Sequence, residues 1–334
     1  MRKRALDFIV CPRCRGEVAL EAGTVREDHV MDGQLTCRAC QAIYPIEEGI
    51  PVLLEERRVD PDNRRTAERF GFEWETFDFL TPAYETQFLD WIAPIRRDFF
   101  AGKTVLDAGC GKGRHAVLSA QFGAGEVIGI DLAAGSVKAA FRNTRPLANV
   151  HILRADISHL PFRDDTFDYI YSIGVLHHTP DPHRSFRCLV QTLGRGGTIS
   201  IWVYGREGNE WLISFVNPLR TAVTARLPLG VTKAIAFGLA IILQPVLKII
   251  YRPANQVRAL RPLTRFLWYN DYLYYISGFS FRENFSIVFD HLLPEIAHYI
   301  PQADVRGWFD QAGLQNVVIT RRTNNSWRGT GQKG

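Results

Sequence analysis

The chain has 334 residues, 46% hydrophobic and 22% charged, with a formal net charge of +5. This length suits one large α/β domain with a small appendage, and the composition excludes disordered and fibrous classes. So mild a positive charge does not by itself imply nucleic acid. Six cysteines, with no long apolar stretch after the basic Met1-Arg2-Lys3-Arg4, predict thiols and metal rather than disulfides, in a cytoplasmic protein.

Residues 1–56 carry two short knuckles, Cys11-Pro12-Arg13-Cys14 and Cys37-Arg38-Ala39-Cys40, a hairpin's length apart. Two such turns facing each other complete a tetrahedral thiolate cage, so Cys11, Cys14, Cys37 and Cys40 are expected to hold a structural zinc. A segment this small buries little core, and metal binding would supply much of its folding free energy. Four sulfurs leave no open position for substrate.

Residues 57–102 are expected to form a linker and an N-terminal helical lid. Glu55 to Arg65 is charged and contains proline, as exposed linkers do. The aromatic run Phe70-Gly71-Phe72-Glu73-Trp74-Glu75-Thr76-Phe77 follows, and then Phe88, Trp91, Ile92, Ile95 and Phe99 recur on one helical face. Phe72 and Trp74 are candidates for a ligand wall, since such walls are rich in aromatics.

In residues 103–204, Val105-Leu106-Asp107-Ala108-Gly109-Cys110-Gly111-Lys112-Gly113-Arg114 reads as a strand, a glycine turn and a helix start. Glycines at alternate positions let backbone approach a ligand, and the helix would point free N–H groups at it. A second strand, Glu126 to Ile130, ends in Asp131, whose carboxylate suits a ribose diol. Ala155-Asp156-Ile157, the run Phe167 to His178, and Leu193-Gly194-Arg195-Gly196-Gly197-Thr198 follow in order.

These motifs resemble the class I S-adenosylmethionine-dependent methyltransferases over about Lys103 to Tyr204. Within them the Val-Leu-His-His ending of the fourth motif resembles the small-molecule and quinone-precursor branch. The resemblance implies a doubly wound, Rossmann-like, seven-stranded α/β sheet with a reversed seventh strand. It implies S-adenosyl-L-methionine as cofactor, with Gly109, Gly111 and Gly113 under the methionine part and Asp107 toward its ammonium. Asp131, beside Leu132, would take the ribose, and Asp156 with the Ile157 backbone the adenine. Ser172, on the fourth strand, is a weaker candidate. His177 and His178 end that strand, where a histidine can act as base toward a substrate. The N-terminal ribbon resembles the small zinc-binding proteins that activate tRNA, rRNA and protein methyltransferases. It could be a stabilising cap, an internal activator or an RNA clamp.

Residues 205–300 are expected to form a helical insertion that serves as a substrate lid. Between Glu210 and Asp271 there is no acid, while Arg220, Arg226, Lys233, Lys248, Arg252, Arg258, Arg261 and Arg265 are basic. Ala234 to Leu247 is apolar but reads as too short and too interrupted to span a bilayer. The composition suits a packed helical subdomain, a peripheral membrane contact through residues 211–270, or a lid over a greasy substrate; RNA ranks behind these. Tyr269 to Tyr275 is dense in hydroxylated rings that could line a pocket. Residues 301–323 read as a final helix and strand, and 324–334 as a flexible tail. Together these features predict a methyltransferase for a small or lipid-like, hydrophobic acceptor. An RNA methyltransferase that holds RNA with its ribbon, and a non-catalytic scaffold, are the alternatives.

Overall fold

The computed structural model describes residues 1–334. The N-terminal unit folds as β1 (Val18–Ala22), a small β2 (Val25–Arg26) and β3 (His29–Val30) hairpin, β4 (Gly33–Cys37), β5 (Ile43–Glu47) and β6 (Ile50–Leu53). Alternation in β5 buries Tyr44 and Ile46 and exposes Ile43, Pro45 and Glu47, the period-two pattern of a half-buried strand. Two helices follow, α1 (Pro61–Thr76) and α2 (Ala83–Trp91). Asp60 caps α1 by accepting from the Asp62 and Asn63 amides, and proline takes the first position, where its missing N–H costs nothing. The stretch expected to be linker therefore already contains the start of a helix. The face predicted to run to Phe99 breaks after Trp91, because Pro94 cannot continue a helix.

The core alternates strands and helices: β7 (Thr104–Ala108), α3 (Arg114–Gln121), β8 (Glu126–Asp131), α4 (Ala134–Thr144), β9 (Val150–Ala155), β10 (Phe167–Ile173), α5 (Pro182–Thr192) and β11 (Leu193–Tyr204). The insertion comprises α6 (Asn217–Ala222), α7 (Leu229–Val246), α8 (Arg252–Gln256), α9 (Asn270–Ile276) and α10 (Phe281–Leu292). The chain closes with α11 (Gln302–Gln311), β12 (Gln315–Arg322) and β13 (Ser326–Gln332).

The sheet has eleven strands in the order β1-β4-β5-β6-β9-β8-β7-β10-β11-β13-β12. Its last seven reproduce the expected doubly wound order, and β13 runs antiparallel to β11, the reversed strand. The ribbon is not a separate appendage. β6 pairs in parallel with β9, Val52 opposite Arg154 and Leu53 opposite Ala155, so the ribbon sheet continues the core sheet. The cores fuse as well: Leu35, Tyr44 and Ile46 belong to the same buried cluster as Leu106, Ile130 and Ile170.

Two expectations are corrected. The tail predicted to be flexible is β13, a buried strand between β11 and β12, in which Trp327 is 5% exposed. Glycine and serine there signal close packing rather than mobility: a Cβ at Gly329 or Gly331 would lie within 3 Å of the Phe309 ring. The apolar run in the insertion is not short. Leu229 to Gln256 forms one continuous 28-residue helix, carried past Pro245 through a π turn at Leu247–Tyr251, and is long and apolar enough to cross a membrane by length and composition.

Candidate functional site

Two cavities meet above the carboxyl ends of the parallel strands, where open α/β sheets bind ligands. The first is built on the glycine turn between β7 and α3. Its wall includes Gly109, Gly111, Asp131, Leu132, Asp156 and Ile157. Gly109 and Gly111 have φ of 90° and 51°; a Cβ on Gly109 would strike the Val175 side chain at 2.3 Å, and one on Gly111 would press on the Trp74 indole at 3.0 Å. Both positions require glycine. Gly113 also has positive φ and caps α3, but its space is taken by Ala140 rather than by the cavity.

Asp131 accepts from the Gly111 amide at 3.0 Å and the Ala133 amide at 2.9 Å, which fixes its carboxylate at the wall. Withdrawal from water raises its pKa, and those two amides pull it back down. Asp156 accepts from the Ser158 amide at 2.8 Å, leaving its other oxygen 3.5 Å from the His159 ring. Three expected contacts fall elsewhere. Asp107 is 1% exposed and lies beneath the turn, one carboxylate oxygen without a partner, its pKa pushed up to about 8 by burial. Ser172 donates to the Ala108 carbonyl at 2.9 Å and so ties β10 to β7 behind the wall. Phe72 packs on Phe289 of α10, whereas Trp74 lines both cavities.

Lys112 reaches across to the segment that follows α1. Its ammonium is buried, donates to the Phe77 carbonyl at 2.7 Å and the Tyr84 hydroxyl at 3.1 Å, and lies 4.5 Å from the Phe79 ring centre. Burial lowers its pKa to about 7. The glycine turn is thus bolted to the segment joining α1 and α2.

The second cavity shares Trp74, Arg114, Ile173, Gly174, His178 and Asp290 with the first. Its other walls come from α1, α2, β11, the insertion and the last hairpin, the last two giving Tyr269, Tyr272, Tyr275, Ile276 and Arg322. Five wall residues carry buried polar atoms with no partner: Glu73 Oε2, Gln87 Oε1, Trp91 Nε1, Trp202 Nε1 and Arg322 Nη2. Buried polar groups are nearly always bonded, so a cluster of orphans around one void marks a place for a ligand's polar groups.

The two histidines have different surroundings. His177 is fully buried, neither ring nitrogen has a partner, and its ring lies 4.0 Å from that of Tyr204, outside both cavities. His178 lines both. Its Nδ1 donates to the Ile296 carbonyl at 2.7 Å, which leaves Nε2 with the lone pair; burial lowers its pKa to about 3. Asp290 has the stronger basicity. It lines both cavities, accepts from the Tyr204 hydroxyl at 3.4 Å, and burial raises its pKa to about 6. Glu73 beside it is pushed well above the carboxylate range by burial and by the Asp290 charge, so it holds the proton of the pair. Sequence reading assigned no site role to Asp290, Glu73, Arg114 and Arg322: Asp290 and Arg322 have no motif around them, while Glu73 and Arg114 lie inside the aromatic run and the glycine-turn motif, where spacing gives no sign that their side chains reach the cavities.

In the ribbon, the Cys11, Cys14, Cys37 and Cys40 sulfurs all lie within 4.8 Å of one another. The 3.7 Å Cys11–Cys40 and 3.5 Å Cys14–Cys37 separations approach the roughly 3.8 Å edge of a tetrahedron with 2.3 Å metal–sulfur bonds. The Tyr44 hydroxyl lies 3.2 Å from the Cys11 sulfur and donates to Glu55 at 2.9 Å, orienting the cage from outside.

Residues 106–201 match the methyltransferase domain family, and residues 2–49 match the Trm112p-like protein family. The core is a class I methyltransferase domain. Relatives of this domain include the tRNA U34 carboxymethyltransferase of Marinobacter nauticus, 37% identical over 141 residues, 40% of this chain and 42% of that protein. The methyltransferase GfsG of Streptomyces halstedii is 34% identical over 109 residues, 32% of this chain and 39% of that one. The ubiquinone biosynthesis O-methyltransferase of Idiomarina loihiensis is 28% identical over 179 residues, 48% and 68% of the two chains. The chain spans about two fifths of the length of the first two relatives. A complex of the Trm112 methyltransferase activator of Haloferax volcanii with a methyltransferase shares 15% identity, over 79% of this chain and 97% of that one, with a TM-score of 0.43. One of these names points to tRNA and one to ubiquinone biosynthesis, while GfsG's names no acceptor; the methyltransferase class is common to the three curated relatives and the quinone-precursor branch is not.

Proposed function

We propose that this protein is an S-adenosylmethionine-dependent methyltransferase whose acceptor is a small or lipid-like molecule with an apolar body, bound in the second cavity. The observation that supports this most strongly is that the two cavities adjoin, with Trp74, Arg114, Ile173, Gly174, His178 and Asp290 lining both. A cofactor in the first cavity and an acceptor in the second would meet at that seam. Asp131 takes the ribose hydroxyls with the lone pairs its amide bonds leave free, Asp156 and Ile157 the adenine, and the glycine turn passes beneath the methionine part. Cys11, Cys14, Cys37 and Cys40 would hold one zinc, whose role is to fix the ribbon against the sheet.

When bound, S-adenosylmethionine supplies the methyl group by displacement from its sulfonium. The chain's part is alignment and proton removal. Trp74 and the insertion tyrosines flank the acceptor body, and the five unpartnered polar atoms take its hydrogen-bonding groups. Asp290, deprotonated and set at the seam, accepts the proton that the acceptor's oxygen or nitrogen loses as it is methylated. His178, its Nδ1 fixed by the Ile296 carbonyl, bonds the acceptor through Nε2.

A second reading is favoured by the 37% identity to a tRNA carboxymethyltransferase and by the Trm112p-like ribbon: RNA as acceptor. Cell extract incubated with the protein and methyl-tritiated S-adenosylmethionine separates the two. On the reading preferred here, label enters the organic or small-molecule fraction. Label confined to RNA would overturn it.

A further inference from the structure

Of the twenty large apolar side chains that the protein leaves exposed, fifteen fall between Phe215 and Trp268. The helix Leu229–Gln256 is the centre of this surface, and its two faces are reversed from the usual arrangement. The side turned inward carries small residues, with Thr232, Ala236 and Ala240 fully buried where α7 packs on α10. The side turned outward carries large aliphatics, with Ile242 at 67% and Ile249 at 71% exposure. A helix on the surface of a water-soluble domain shows the opposite pattern. An exposed apolar surface this extensive marks an interface.

Charge identifies the occupant. No acid occurs from residue 211 to 270, and Arg226, Arg252, Arg258, Arg261 and Arg265 are all exposed around the apolar face. A two-fold pairing of this face with a second copy would set like charges against each other. Eleven of the fifteen exposed side chains are aliphatic, which gives RNA bases few platforms to stack on. We propose that the outward face of Leu229–Gln256 and the basic segment Arg258–Phe266 dock the protein on an anionic lipid bilayer. The helix lies in the interface and does not cross it. Its inner stripe is occupied by α10, and the Asn284 side-chain amide donates to Gln244 at 2.7 Å, anchoring the helix to the domain along one side. Phe266 and Trp268, 73% and 52% exposed, sit where aromatic side chains settle at headgroup depth. The docking surface goes beyond methyl transfer but bears on it, since Tyr269, Tyr272 and Ile276, at the end of the same insertion, wall the acceptor cavity. An acceptor dissolved in the bilayer would reach the site without passing through water.

The test is flotation of the full chain with phosphatidylcholine vesicles containing phosphatidylglycerol, read without cofactor or acceptor, so that its outcome is separate from that of the methyl-transfer reading. The protein should float with these vesicles and much less with pure phosphatidylcholine, and binding should weaken as salt shortens the screening length below about 10 Å. The double variant Ile242→Glu/Ile249→Glu should lose at least about tenfold in bound fraction, because it puts charges where the apolar face enters the bilayer. Both residues already face outward, so its melting temperature and S-adenosylmethionine affinity should match those of the parent. The triple variant Arg258→Gln/Arg261→Gln/Arg265→Gln should lose the preference for anionic vesicles. Absence of flotation by the parent chain would overturn the proposal. So would undiminished flotation of the glutamate variant, or a solution dimer that this variant dissociates while neither protein floats.

Discussion

Deleting residues 325–334 should abolish cooperative folding and leave the protein insoluble or without a thermal transition. β13 pairs with β11 at seven positions and with β12 on its other side, so its loss strips hydrogen bonds from two strands and opens the sheet. It also uncovers Phe309, fully buried against Gly329 and Gly331, and removes Trp327, whose indole donates to Glu207 at 2.9 Å. Lys333 adds two backbone contacts, donating to the Leu193 and Val190 carbonyls. Trp327→Ala alone should cost about 3–5 kcal/mol, the range for emptying a buried aromatic site. Calorimetric unfolding measures this. A soluble truncated chain with an unchanged melting temperature would mean that β13 does not belong to the core.

Asp290→Asn should lower kcat by roughly 10²–10⁴-fold, the usual contribution of a positioned base. The cofactor affinity should change much less than kcat, because Asp290 touches that cavity only at its seam while the glycine turn, Asp131 and Asp156 are untouched. The pH dependence has a definite sign. Burial raises the Asp290 pKa to about 6, and only the deprotonated form accepts a proton, so the parent's rate should fall as pH drops through about 6. The asparagine variant should lose that limb. Stability runs the other way. A carboxyl whose folded pKa lies above its unfolded value costs stability as pH rises, so at neutral pH the variant should melt no lower than the parent. A variant with unchanged kcat, or one that keeps the acid limb, would move the proton acceptor elsewhere, with His178 next in position.

Local motifs made the cavity over the glycine turn legible. The glycine turn, Asp131, Asp156 and Ile157 are contiguous runs whose chemistry is set by the strand and turn that carry them, and the structure puts them on one wall. Asp107 and Ser172 belong to the same motifs, but strand alternation turns their side chains away from the cavity, which a motif alone does not reveal. The second cavity was legible only in part: Trp74, His178 and the tyrosines of the Tyr269–Tyr275 run do line it, but its charged groups were hidden. Glu73 comes from α1, Asp290 from α10 and Arg322 from β12, and only the packing of the insertion brings them together. His177 and His178 looked equivalent in sequence; one faces the cavities and the other the interior because a single turn of 3-10 helix at Leu176–His178 rotates them apart. The fate of the C-terminal strand was hidden for a related reason. Its glycines resemble those of a loose tail until Phe309 is seen to fill the space they leave.

The most direct measurement of the central claim, that the cavity over the glycine turn holds S-adenosylmethionine, is calorimetric titration of that compound into the parent chain and into Asp131→Ala. One molecule should bind per chain. The variant should bind about 1.5–3 kcal/mol more weakly, the cost of losing hydrogen bonds to a charged group, which is a loss of roughly 10- to 150-fold in affinity. No binding to the parent, or equal affinity in the variant, would contradict the account.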